Sequence, residues 1–154
     1  MRRIGLIVCL SVFMGVLGTP PADALPVTGG KIGVDGGLAT GEGDIGTGWI
    51  LGANYRLMSI AGPVRLRADV TYQSHGSDLS VLGLAGNAVF SLGSLYGLGG
   101  AGWYRTDPKL GDGSDDFGVQ LGVGISLIPG IHLEARWVQI DDFTTFPVVV
   151  GIRF

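Results

Sequence analysis

The chain has 154 residues, ten basic and thirteen acidic, for a formal net charge of −3, and its few Lys and Arg form no cluster, which excludes an electrostatic nucleic-acid surface. The single cysteine is Cys9, inside an N-terminal apolar run, so the rest of the chain has no disulfide, thiol nucleophile or Cys-ligated metal. Twenty-nine glycines would each cost about 1 kcal/mol against Ala inside helices; they suit strands, tight turns and closely packed walls.

In chain order, Met1-Arg2-Arg3 is a short basic segment and Ile4 to Leu17 an uncharged apolar run too short to span a bilayer. Gly18, Pro20 and Pro21 break that run, and Ala22-Asp23-Ala24 places small residues at the −3 and −1 positions of a cleavage site. Residues 1–24 therefore read as a secretory signal peptide and 25–154 as one domain.

That domain holds eight segments of period-two alternation. The first, Gly30 to Leu38, carries Ile32, Val34 and Leu38 on one side. The second, Thr47 to Leu57, sets Trp49, Leu51, Ala53, Tyr55 and Leu57 against Ile50, Gly52, Asn54 and Arg56. The third sets Val64, Leu66, Ala68, Val70 and Tyr72 against Arg65, Arg67, Asp69, Thr71 and Gln73. The fourth, Ser80 to Phe90, has Leu82, Leu84, Ala88 and Phe90 on its apolar side. The fifth, Leu95 to Tyr104, contains so many glycines that its phase stays open. The sixth, Phe117 to Leu127, alternates Phe117, Val119, Leu121, Val123, Ile125 and Leu127 with Gly, Gln and Ser. The seventh, Ile131 to Gln139, alternates Ile131, Leu133, Ala135 and Trp137 with His132, Glu134 and Arg136. The last stretch, Thr144 to Phe154, reads TTFPVVVGIRF, with Phe146, Val148, Val150, Ile152 and Phe154 on one face.

Connections alternate in length. Ala39–Gly46, Ser74–Leu79 and Arg105–Asp116 are long or polar, whereas Met58–Pro63, Ser91–Ser94 and Ile128–Gly130 are tight and carry Gly or Pro. Short turns at one end and longer loops at the other are the pattern of a transmembrane barrel, and an even strand count returns both ends of the domain to one side. Two rival architectures compete. Leu79 to Tyr104 is uncharged and long enough for a membrane helix, but it is interrupted by glycines and by the turn-like Ser91-Leu92-Gly93-Ser94, and one helix would leave the other apolar faces unpartnered. A soluble sandwich or lipocalin-like barrel would turn the apolar faces inward and solvate the charged rows.

The alternating strands, Gly-rich walls, charged rows and Phe-terminated closing strand resemble the small eight-stranded outer-membrane barrels of the OmpA/OmpX type, whose last residue is typically Phe. The resemblance covers the domain from end to end. It implies an all-β fold: an eight-stranded antiparallel transmembrane β-barrel following a cleaved signal peptide, integral to the bacterial outer membrane. It also implies outer-membrane lipids as partners, barrel-assembly machinery during biogenesis, a monomer, and no cofactor, metal or nucleic acid. Phe154 is the assembly signal that the resemblance implies. Deleting Phe154 is expected to impair outer-membrane assembly while leaving export intact; normal assembly of the shortened chain, read by protease protection and fractionation, would contradict that role.

An eight-stranded barrel is only wide enough for its interior side chains. Sending the polar rows to the lumen places Lys31, Arg56, Arg65, Arg67, Arg136 and Arg153 against Asp35, Asp69 and Glu134, a network that reads as a salt-bridge plug, with a narrow ion channel as the alternative. The loops carry Glu42, Asp44, Asp78, Asp107, Asp112, Asp115, Asp116, Asp141 and Asp142 against Arg105 and Lys109. Gly111 to Asp116, with Asp112, Asp115 and Asp116, is an acidic loop without the ordered ligand spacing of a calcium site. Aromatics such as Trp49, Tyr72, Tyr104, Trp137 and Phe146 lie near strand ends, where interface girdles belong. No enzymatic activity is expected. His75-Gly76-Ser77 resembles part of the catalytic motif of outer-membrane lipid A deacylases, but the acid which that family carries on the following strand is missing, because Leu79 to Tyr104 has no Asp or Glu. His75 and Ser77 are thus catalytic candidates without an orienting carboxylate. The expected role is structural or surface-interactive.

Overall fold

A computed structural model describes residues 32–43, 46–76, 79–108, 112–141 and 143–154. The signal-peptide segment, Lys31, Asp44, Ser77, Asp78, Lys109 and Asp142 lie outside the described residues. The eight strands are β1 (Ile32–Gly41), β2 (Thr47–Ala61), β3 (Val64–His75), β4 (Leu79–Leu92), β5 (Leu95–Pro108), β6 (Ser114–Ile128), β7 (Ile131–Ile140) and β8 (Phe143–Arg153). Each pairs antiparallel with its sequence neighbour, and β1 pairs with β8 from Gly33↔Arg153 to Gly41↔Thr145, so the sheet closes on itself and no edge remains.

The barrel is inside-out relative to a soluble one. Leu38, Trp49, Leu51, Leu84, Phe117, Val123, Val150 and their outward-row neighbours are exposed, whereas Asp35, Arg67, Asp69, Glu134 and Arg136 are buried. A soluble monomer rarely shows a contiguous apolar patch above about 300–600 Å²; here the apolar rows of all eight strands form a continuous band, which rules out the soluble arrangement. The uncharged stretch from Leu79 folds as the β4–β5 hairpin, not a helix, turning at Gly93-Ser94. Among the described residues no helix is long and apolar enough to cross a membrane.

Several strands run past the ends of their apolar rows, so parts of the expected loops are sheet. β5 and β6 continue through Arg105↔Asp115 and Thr106↔Ser114, and β1 and β2 through Thr40↔Thr47. Backbone ladder bonds do not require an apolar side chain, so polar residues continue the pairing beyond the apolar band. The expected turn Met58–Pro63 is likewise mostly strand. Register shifts between Arg56 and Met58 and between Ser59 and Ala61 break the alternation, leaving both Leu57 and Met58 exposed, and the turn itself is Gly62-Pro63. All three tight turns place a glycine at positive φ: Gly62, Gly93 and Gly130.

Pro147 marks the closing strand in a different way. The β7–β8 ladder is interrupted between Ala135↔Val148 and Val138↔Thr145, while on the other side Ala39↔Pro147 stays in register with β1. A proline has no N–H to give, so it spoils pairing on one side only.

Candidate functional site

The inward rows divide the lumen into three levels. At the middle level Arg67 holds Glu134 with both terminal nitrogens, Nη1 to Oε2 at 2.8 Å and Nη2 to Oε1 at 3.0 Å, and also donates from Nη2 to Asp69 Oδ2 at 2.8 Å. Arg136 donates to Glu134 through Nε, reaches Asp35 Oδ2 at 3.4 Å and lies 3.7 Å from Asp69 Oδ2. Neutral donors complete the shell: Tyr96 Oη to Glu134 at 2.7 Å, Asn54 to Asp35 at 2.8 Å, and Asn87 to Asp69 at 2.8 Å, with Gln120 donating to Asn87 at 2.7 Å. His132 Nε2 sits 2.9 Å from Asp35 Oδ1. Glu134 is 0% exposed and Asp69 2%, so these charges depend on one another rather than on water.

This cluster draws a side chain from every strand except β8. There the inward residue is Gly151, and a Cβ at that position would run into Asp35 and His132. Three carboxylates meet two guanidiniums, an imbalance of one negative charge.

Toward the loop end the lumen turns apolar. Val81, Tyr104, Val138 and Ile140 pack together with Leu79 and Phe143 against them, and Ala39, Ile50 and Val149 form a second group. The Tyr104 ring has room because Gly83 and Gly118 flank it; a Cβ on either would strike it. Toward the turn end lies a recess lined by Arg56, Arg65, Arg153, Ser91, Ser126 and Tyr96, among others. Arg153 stacks on Tyr96, its guanidinium carbon 5.4 Å from the ring centroid.

Of the charged positions expected in the lumen, Asp35, Arg67, Asp69, Glu134 and Arg136 come together in one cluster. Arg56, Arg65 and Arg153 face inward but collect at the turn-end mouth, in a recess that Arg67 and Asn54 of the cluster also line. Lys31 lies outside the described residues. Nothing in the sequence marks Tyr96, Asn87 and Gln120 as members of the cluster; Tyr96 sits on β5, whose phase the glycines hide, and the other two are uncharged.

His75 is not in an external loop. It is the last residue of β3, 3% exposed, with Nδ1 3.3 Å from the Gly46 carbonyl oxygen and Nε2 3.3 Å from Gln73 Oε1. No carboxylate pairs with it among the described residues, and Ser77 lies outside them. The acidic segment is also partly strand: Asp112 is exposed in the connection, whereas Asp115 and Asp116 begin β6, and Ser114 Oγ donates to Asp116 at 2.7 Å. Among the described residues no three carboxylate, imidazole or thiol groups converge to hold a metal ion. Phe154 points outward, 70% exposed, its N–H bonded to the Ile32 carbonyl at 2.8 Å.

No protein-family model matches the chain, and no curated protein matches it. Solved structures do. The chain is similar to the crystal structure of Neisserial surface protein A (NspA), with 17% identity and a TM-score of 0.55, covering 80% of this chain and 96% of that one. It is similar to Ail, the attachment invasion locus protein of Yersinia pestis, at 17% identity and a TM-score of 0.51, covering 82% and 100%. The outer membrane enzyme PagL matches at 16% identity and a TM-score of 0.55, covering 79% and 99%. At such identities the likeness defines the fold, that of the small eight-stranded outer-membrane barrels. A surface protein, an attachment protein and an enzyme share it, so the fold does not choose among roles.

Proposed function

We propose that this protein is an integral outer-membrane barrel with a structural or surface-contact role, and that its lumen is a salt-bridge plug rather than a conduit. The observation that carries this reading is the cross-lumen pairing of Arg67 and Arg136 with Glu134, Asp69 and Asp35, all at or below 6% exposure. Any ion entering that level must displace paired charges from three strands, braced by neutral side chains from four more, and beyond it must pass the apolar packing around Tyr104. In this reading the partners are outer-membrane lipids on the exposed apolar band and the barrel-assembly machinery during biogenesis, and the barrel works as a monomer.

The loop end supports contact at close range. Its connections are short, and the exposed groups there include Asp112, Asp115 and the Arg105–Asp107 pair at 3.3 Å. Among the described residues this rim presents a predominantly acidic surface. Planar-bilayer recordings of the purified barrel are expected to be silent. Sustained single-channel steps from a preparation that shows the heat-modifiable gel mobility of a folded barrel would overturn the plug and favour the channel.

A further inference from the structure

The turn-end recess opens directly above the plug, whose Arg67, Asn54 and Tyr96 also line it. Four arginines line it, Arg56 on β2, Arg65 and Arg67 on β3 and Arg153 on β8, with the hydroxyl-bearing Ser91 and Ser126 and the Tyr96 ring between them; Arg67, at its base, is already paired with Glu134 and Asp69. Among the described residues no carboxylate lies within ion-pair distance of Arg65 or Arg153, in contrast to Arg67 and Arg136 one level deeper, where every guanidinium meets two or more carboxylates. Tyr96 links the two levels. Its hydroxyl donates to Glu134 below while its ring face carries the Arg153 guanidinium, which fixes that cation at the recess wall.

A half-buried hollow with several cations of one sign focuses a positive potential, which favours an anion of matching charge. Guanidinium forks suit a tetrahedral oxyanion, whose several acceptor oxygens can take paired N–H bonds from more than one arginine at once; a single carboxylate offers fewer oxygens and less charge. The floor is the buried ionic cluster, so entry is from the turn end alone. We propose that this recess is a binding site for a phosphate group, held by Arg65 and Arg153 with Arg56 and the two serines completing the cradle.

The group has two possible sources, a soluble phosphate compound and the headgroup of a phospholipid. The outward face runs apolar up to the same rim, with Leu57, Met58, Leu127 and Ile128 exposed, so an acyl chain can lie against the wall below a headgroup at the mouth. Binding requires only the folded barrel and so does not depend on whether the lumen conducts.

The test is a calorimetric titration of the full barrel, in maltoside micelles and phosphate-free buffer, with inorganic phosphate, repeated with phosphatidylglycerol doped into the micelles. Saturable binding of phosphate, weakened about tenfold or more in Arg65→Gln/Arg153→Gln, is the expected result. The loop-end variant Arg105→Gln should bind as the parent does. Heat-modifiable mobility checks that each variant is folded, and Arg65→Gln alone serves if the double variant does not assemble. Loss of the phosphate signal in the presence of phosphatidylglycerol identifies the lipid headgroup as the occupant; persistence identifies a soluble phosphate compound. No saturable binding of either probe to the folded parent, or unchanged affinity in the folded arginine variants, overturns the site.

Discussion

Replacing Arg136 with methionine is expected to lower the free energy of unfolding by about 3–5 kcal/mol, read from urea titrations of the barrel refolded into phosphatidylcholine vesicles. Arg136 reaches Glu134, Asp35 and Asp69 from a position where its side chain is 1% exposed. Methionine fills similar volume but leaves three carboxylates with the single guanidinium of Arg67. The cost is thus mainly that of uncompensated buried charge, not of lost packing. A second substitution makes that separable: Glu134→Gln in the Arg136→Met background restores the original charge balance and should recover part of the loss, although Glu134→Gln alone also disturbs Arg67 and Tyr96. An unfolding midpoint unchanged by Arg136→Met would mean that the cluster is hydrated and contributes little.

The second large effect belongs to the outer surface. Val148 is 49% exposed, pairs with Leu38 and Ala135, and lies one residue from the level of Glu134, which is opposite Val149. At the midplane of a bilayer an outward arginine costs about 2–4 kcal/mol, falling to about 0–1 kcal/mol near the interface. Val148→Arg should therefore destabilise strongly, whereas Phe117→Arg, outward near the loop-end rim, should do little beyond losing an aromatic contact with lipid. Equal tolerance of both substitutions would show that this surface does not face hydrocarbon.

The architecture was legible because outward apolar rows are local. Val64 to Tyr72 and Phe146 to Phe154 each declare a face by themselves, and once one face is lipid-exposed every opposite row must point inward. β5 was the exception. Gly97, Gly99, Gly100 and Gly102 offer no side chain to assign, and only the closed sheet shows that Tyr96, Leu98, Tyr104 and Thr106 share the inner side. Inward charges were equally readable, but their grouping was not, since it depends on register and stagger between strands. Arg67 and Arg65 are two residues apart on one row, yet one sits in the plug and the other at the mouth. The apolar loop-end packing is hidden in the sequence because Val81, Val138 and Ile140 look like breaks in an otherwise polar row. His75 looked like loop because Gly76 follows it, when the ladder actually holds it opposite Leu79.

The buried cluster also has a consequence for the order of assembly. Arg67 and Glu134 are 67 positions apart, and Asp35 and Arg136 are 101 apart. Neither pair can meet in a growing hairpin; Asp35 finds Arg136 and His132 only when β1 reaches β8, across the bare backbone of Gly151. Until that seam forms only the same-strand pairs Arg67–Asp69 and Arg136–Glu134 are available, and Asp35 has no guanidinium to meet. Joining the seam brings Asp35 to Arg136 and His132 and completes the pairing. The plug therefore acts as a closure latch, and variants that weaken it should speed the opening of the β1–β8 seam more than they slow the formation of individual hairpins.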